Sequence, residues 1–281
     1  MTVDPAHAAR SATPGSLAET ARVPGAVKPD PILVADQVER RFGGLNAVSV
    51  DHLEIQRGAI TALIGPNGAG KTTLFNVLTG FDRPQSGRWS LDGQDLTGMS
   101  PARIARQGMV RTFQLTKSLA RMSVLDNLKL AAPRQQGERL LSSVVRPLWR
   151  AQERDIEERA DELLRRFKLD HMRSEFAGTL SGGQRKLLEM ARALMVDPSI
   201  MMLDEPMAGV NPALRQSLLD HVTALRDEGT TIVYVEHDMD VVMEISDWVV
   251  CLALGSIIAE GPPDHIAAHP DVISSYLGTV A

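Results

Sequence analysis

The stretch Gly65-Pro66-Asn67-Gly68-Ala69-Gly70-Lys71-Thr72-Thr73 fits the phosphate-loop pattern G-x-x-x-x-G-K-[ST]. The apolar run Ile60 to Ile64 before it reads as a buried strand, and Thr72 to Leu78 after it reads as a helix. That strand, loop and helix order is the context in which the pattern has chemical meaning. Glycines at 65, 68 and 70 let the backbone fold closely around a polyphosphate, so that N–H groups and the positive helix end converge on its oxygens. Lys71 brings a mobile point charge to the outer phosphates, and the Thr72 hydroxyl is placed to ligate Mg2+. The alternative is a plain glycine-rich turn. The whole run from Gly65 to Thr73 is the candidate nucleotide-binding loop.

Working outward, a second apolar run, Ser199 to Leu203, ends in Asp204-Glu205-Pro206. This reads as a parallel core strand delivering two carboxylates to the edge where open α/β sheets bind ligands. Asp204 suits a Mg2+ ligand, and Glu205 suits a group that orients or deprotonates water; alone, the pair would read as a solvated turn. Thr231 to Glu236 repeats the pattern and presents His237, which can meet a γ-phosphate, although a lone histidine is more often structural. Gln114, in Val110-Arg111-Thr112-Phe113-Gln114, stands at the junction with a helical stretch. Its neutral amide can touch both Mg2+ and lytic water, a role that position alone leaves open. Leu180-Ser181-Gly182-Gly183-Gln184 precedes an amphipathic run, Lys186 to Met195, and offers a second phosphate-binding surface at a helix start. The natural geometry for two such surfaces is a pair of chains head to tail with ATP between them.

Of 281 residues, 43% are hydrophobic and 23% charged, ordinary values for a globular protein, and the net charge of -5 gives no basic excess for nucleic acid. Cys251 is the only cysteine, so an intrachain disulfide and a cysteine-cluster metal site are excluded. No run approaches the roughly 20 apolar residues that span a bilayer, so the chain is expected in the cytosol. Residues 1–30, rich in Ala, Pro, Ser and Thr, read as a disordered, mobile extension. Short apolar segments from Ile32 to Ile64, broken by Gly43-Gly44 and Arg57-Gly58, suit a small antiparallel sheet leading into the phosphate loop. Residues of about 115–178 carry Ile156, Ala160, Leu163, Leu164 and Phe167 at helical spacing, a core-packing stripe, with Ser123 to Asp126 resembling a helix-start capping box. Leu119, Met122, Val124 and Leu125 suit either a partner-facing surface or the interior.

With these motifs in order, the chain resembles the ATP-binding subunits of ABC transporters from about residue 31 to the end. The resemblance implies an α/β fold: a P-loop NTPase core with a parallel sheet, an N-terminal antiparallel β subdomain and an inserted α-helical subdomain. It implies one ABC ATPase domain over 31–281, in which 115–178 form the helical insert and 179–281 the rest of the core and short C-terminal helices. ATP and Mg2+ are its implied cofactors. Thr72, Gln114 and Asp204 are the expected metal ligands, and Lys71, Gln114, Glu205 and His237 the expected catalytic residues. Phe42 matches the aromatic that stacks on adenine, with local packing as its alternative. Leu180 to Gln184 match the signature that acts across the dimer. Asn211 falls where a dimer-contacting loop usually ends in Asp.

Gly65 to Phe75, Val110 to Gln114, Met122 to Leu128, Ala208 to Pro212 and Val272 to Gly278 are similar to branched-chain amino acid importers and to their ureide and amide relatives. This implies two membrane permease subunits, a second ATPase subunit, an extracytoplasmic solute-binding protein, and peripheral attachment at the cytoplasmic face of the membrane. An exporter ATPase of the lipopolysaccharide type and a non-transport ABC ATPase are the alternatives.

Overall fold

The computed structural model describes residues 17–112, 119–133 and 146–277. The chain divides into a sheet unit, comprising residues up to 111, 199–206 and 222 onward, and a helical unit of residues 112–198 and 207–221.

In the sheet unit, β1 (Pro31–Phe42) and β2 (Leu45–Gln56) form a hairpin around Gly43-Gly44. They continue into β4 (Ser86–Leu91) and β5 (Gln94–Asp95) as an antiparallel sheet of order β2-β1-β4-β5. The second sheet has the order β10-β9-β3-β8-β7-β6. Its members are β3 (Ile60–Ile64), β6 (Met109–Arg111), β7 (Ile200–Asp204), β8 (Thr231–Val235), β9 (Trp248–Ala253) and β10 (Ser256–Gly261). All pair in parallel except β10, which runs antiparallel to β9. Every residue of β3, β7 and β8 is buried, which is why these strands read as unbroken apolar runs. Cys251 is buried in β9, as its setting suggested.

α1 (Lys71–Leu78) buries Leu74, Phe75, Val77 and Leu78 in a core cluster shared by both sheets. Trp89 of β4 donates its indole N–H to Leu78 O at 3.0 Å. α2 (Pro101–Arg106) buries Ile104; α7 (Met239–Ile245), α8 (Pro263–Ala267) and α9 (Pro270–Leu277) complete the unit.

The disordered extension expected over residues 1–30 does not take in residues 26–30, which bond to the sheet unit. β2 carries Glu54 and Gln56 on its polar face, yet both are buried, because residues 26–30 cover them. Lys28 N–H donates to Glu54 Oε2 at 2.6 Å and Asp30 N–H to Gln56 Oε1 at 3.1 Å. The Lys28 ammonium lies 3.4 Å from Glu260 and 4.7 Å from the Trp248 ring centroid. Burial lowers its pKa against the opposing pull of Glu260 and Glu54, and burial likewise raises that of Glu260. Polar groups that an alternation rule assigns to solvent are thus the docking points of the preceding segment.

The helical unit contains α3 (Val124–Ala131), α4 (Arg146–Arg166), α5 (Gly182–Leu194) and the start of α6 (Pro212–Asp227). It reaches residue 198 and takes in the signature segment, whereas the sequence placed residues from 179 with the core. Ser123 Oγ accepts the Asp126 N–H at 3.0 Å, the expected cap. Ala160, Leu163 and Leu164 of α4 and Phe167 just beyond it are buried, and Ile156 is half-buried, so the stripe is core packing. Asn127 is fully buried because its amide accepts from Leu119 N–H at 2.9 Å and donates to Ser123 O at 2.9 Å, fastening the loop ahead of α3. Val124 and Leu125 are interior; of the apolar residues that suited a partner-facing surface, Leu119 is 42% exposed and Met122 half-buried.

Candidate functional site

Strands β3, β8 and β7 are neighbours and run in parallel, so the segments leaving their C-terminal ends meet at one edge. β3 opens into the glycine loop, β7 into Glu205, and β8 into Glu236-His237. The edge therefore gathers Lys71, Thr72, Asp204, Glu205 and His237 within the sheet unit.

Inside the loop, the glycines have different reasons to be glycine. Gly65 has φ 145°, and a Cβ there would stand 2.1 Å from Leu252 O. Gly70 has φ 100°, and its Cβ would stand 2.2 Å from Ala47 O. Scaffold backbone forbids a side chain at both, a requirement separate from the ligand space that the sequence suggested as the common cause. Gly68 has φ 79° with no atom within 4 Å of a Cβ, so it alone faces open space. Lys71 begins α1 and folds its ammonium back onto Gly65 O at 2.6 Å and Pro66 O at 3.0 Å. Burial lowers the Lys71 pKa, partly countered by Glu205.

Glu205 has φ 46°, a left-handed conformation costing on the order of 1–3 kcal/mol for a non-glycine residue, and its N–H donates to Val235 O at 3.1 Å. The strain turns the chain out of β7 directly after Asp204. His237 Nδ1 lies 4.0 Å from Glu205 Oε1 and 3.8 Å from Glu236 Oε2, with the His237 side chain 63% exposed.

Asp204 is not a free carboxylate. Arg111, which the sequence reading passed over, donates Nη2 to Asp204 Oδ2 at 2.7 Å and Nη1 to Asn76 Oδ1 at 2.6 Å and Thr79 Oγ1 at 3.3 Å. The Arg111 and Asp204 side chains are only 7% and 9% exposed. An arginine on a short strand next to β7 was the available signal. No group of three or more His, Cys, Asp or Glu among the described residues forms a metal cage. A Thr72 hydroxyl and an Asp204 carboxylate at one edge fit a hard cation that takes its other oxygens from phosphates and water, the habit of Mg2+. Gln114 lies outside the described residues.

Phe42 ends β1, is 48% exposed, and has the Arg40 guanidinium 4.3 Å from its ring centroid. In the helical unit, Ser181 caps α5: its Oγ accepts Gln184 N–H at 3.3 Å while the Gln184 side chain accepts Ser181 N–H at 2.9 Å. This S-x-x-Q capping box was legible but unread. Leu180 is buried; a Cβ on Gly183 would meet the end of the half-buried Leu214 side chain, Cδ2, at 1.6 Å and force it to move, whereas Gly182 faces open space. Asn211 precedes α6 and accepts Leu214 N–H at 3.0 Å, the cap that Asp would also supply.

A family model described as "ABC transporter" matches residues 48–208, more than half of the chain. The chain belongs to the ABC transporter family. Within it, a model described as "Branched-chain amino acid ATP-binding cassette transporter" matches residues 256–281 of this ABC ATPase cassette. The cassette is 43% identical over 247 residues to the probable branched-chain amino acid transport ATP-binding protein LivG of Archaeoglobus fulgidus, covering 88% of this chain and 95% of that one. It is 42% identical over 250 residues to the high-affinity branched-chain amino acid transport ATP-binding protein BraF of Pseudomonas aeruginosa, covering 88% and 98%. The crystal structure of the ADP conformation of MJ1267, an ATP-binding cassette of an ABC transporter, superposes with a TM-score of 0.77 at 38% identity, covering 88% of this chain and 99% of that chain. The antiparallel sheet, the parallel sheet and the phosphate loop are thus those of an ABC ATPase.

Proposed function

We propose that this cassette hydrolyses ATP to drive an importer of branched-chain amino acids or closely related small solutes. The observation that carries the reading is the convergence of the glycine loop, Asp204-Glu205 and His237 on one edge of the parallel sheet. The loop from Gly65 to Thr73 cradles the phosphates, and Lys71 swings from its backbone carbonyls to the outer phosphate oxygens. Glu205 takes the proton of the attacking water, and His237, 4.0 Å away, holds that carboxylate and the γ-phosphate in line. Thr72, Asp204 and Gln114 are the residues that would hold Mg2+, which supplies charge neutralisation at the phosphates when bound. Phe42 offers its ring to adenine in place of Arg40.

Residues 31–281 act as one ABC ATPase domain, with residues 112–198 and 207–221 as its helical arm. Two cassettes, identical or related, enclose ATP head to tail, each offering its Leu180-to-Gln184 signature to the other. The partners are two membrane permease subunits and an extracytoplasmic solute-binding protein. No described helix is long and apolar enough to cross a membrane, which is compatible with peripheral attachment at the cytoplasmic face. The match of residues 256–281 favours the importer branch over an exporter.

Co-reconstitution with its permeases and binding protein in proteoliposomes tests this. We expect ATP-dependent uptake of labelled leucine, and Glu205→Gln should bind ATP yet hydrolyse it at least about 100-fold more slowly, the low end of the range for a proton-transfer group. Wild-type turnover in Glu205→Gln removes that carboxylate from the mechanism; hydrolysis without uptake of any branched-chain amino acid removes the solute class.

A further inference from the structure

The first residue of the phosphate loop is held by the last described helix. Gly65 is buried, and its N–H, beyond the end of β3, donates to the Tyr276 hydroxyl of α9 at 2.9 Å. The carbonyl of the same residue accepts Lys71 Nζ at 2.6 Å. One glycine therefore links the C-terminal helix on its donor side to the phosphate lysine on its acceptor side. The far end of the loop is fastened from the same part of the chain. Gly255, in the turn between β9 and β10, donates its N–H to Ala69 O at 3.0 Å and accepts Ser49 N–H at 2.7 Å. All of these groups lie in the sheet unit.

We propose that the Tyr276 hydroxyl is a positioning residue for nucleotide binding, and that the segment from β9 to α9 braces the phosphate loop at both ends in its binding conformation. The inference rests on the nucleotide-binding reading above. A loop that closes on phosphates through its backbone N–H groups loses entropy in doing so, and a loop already fastened loses less. The phenol suits the task because burial pushes its pKa up to about 12, so it stays neutral. A neutral oxygen can accept the amide without placing a negative charge beside the phosphates. Tyr276→Phe keeps the ring and removes only the acceptor, leaving the buried Gly65 amide without that partner.

The test uses the purified full chain and a fluorescent ADP analogue with Mg2+. Tyr276→Phe should bind the analogue about 5- to 20-fold more weakly, which is about 1 to 2 kcal/mol at 1.4 kcal/mol per tenfold. Exchange of the Gly65 amide with solvent should speed up by a similar factor. In the assembled transporter, the KM for ATP should rise with kcat within about twofold, because an interaction already made in the ground state is lost. A 3,5-difluorotyrosine at position 276, assayed well below its lowered phenol pKa so that it stays neutral, nearly preserves the shape with a weaker acceptor, and should give an intermediate affinity even if the phenylalanine variant folds poorly. Affinity within about twofold of wild type for both substitutions, with Gly65 exchange unchanged, overturns the proposal and leaves the nucleotide reading intact. Equal analogue binding by wild type and Lys71→Ala would bring down both.

Discussion

Replacing Arg111 with methionine should destabilise the sheet unit by about 3 kcal/mol, the low end of the cost of breaking a buried ion pair from one side. The magnitude follows from what stays behind. Asp204, 9% exposed, would remain in place without the 2.7 Å guanidinium, while Asn76 and Thr79 lose contacts between a charge and a neutral group at 2.6 and 3.3 Å, and the buried Thr79 hydroxyl keeps its bond to Phe75 O. Lysine at 111 keeps a charge but not the planar fork that reaches three acceptors at once, so Arg111→Lys should cost about 1–2 kcal/mol. In a double-mutant cycle, Asp204→Asn should recover part of the methionine loss and give a coupling energy of about 2 kcal/mol. The assay is urea unfolding without nucleotide in a Trp149→Phe background, which leaves Trp89 and Trp248, both in the sheet unit, as fluorescent reporters. A coupling energy below about 0.5 kcal/mol would refute the claim that Arg111 is the counter-ion of Asp204.

His52 sits between Asp36 at 2.6 Å and Glu54 at 3.2 Å. Burial lowers its pKa, but the hydrogen bonds to both carboxylates outweigh that and leave it raised. The contribution of protonated His52 is therefore fully present below the unfolded pKa of about 6.5 and is lost as pH rises through the higher folded value. The stability gap between wild type and His52→Gln should be wider at about pH 5.5 than at about pH 9, measured by thermal unfolding; a gap independent of pH contradicts the assignment. In the signature, Gly183→Ala should lose about 1 kcal/mol, the low end for overpacking because the half-buried Leu214 side chain can swing aside, whereas Gly182→Ala should keep wild-type stability and lower the ATPase rate of the assembled transporter. Comparable stability losses in the two variants would show that the open space at Gly182 is not what distinguishes them.

The parallel strands and the phosphate loop were legible because each lies in one contiguous stretch. β7 and β8 are buried on both faces, and their apolar runs stop where carboxylates and a histidine begin. Residues that depend on distant chain were not legible. Nothing around Arg111 announces that Asp204, far along the chain, will sit 2.7 Å away, and nothing around Tyr276 announces Gly65. β4 was missed because Ser86-Gly87-Arg88-Trp89-Ser90-Leu91 carries only Trp89 and Leu91 into the core. The second half of β2 buries Glu54 and Gln56 as well as Leu53 and Ile55, which its residue types do not announce. Propensity treats a buried glutamate as a surface residue, and only the segment at 26–30 reverses that.

The two kinds of glycine in the phosphate loop would leave different traces in a copy of this gene that had drifted into a purely architectural subunit. Relaxed selection on hydrolysis loosens the hold on Lys71, whose ammonium meets only loop carbonyls, and on Gly68, where a Cβ meets open space and only the φ of 79° still favours glycine or asparagine. Gly65 and Gly70 are asked for by Leu252 O and Ala47 O, and a degenerate paralogue that still folds has to keep them. A half-eroded loop retaining those two glycines would therefore be a fossil of the scaffold, carrying no information about whether its owner still turns over ATP.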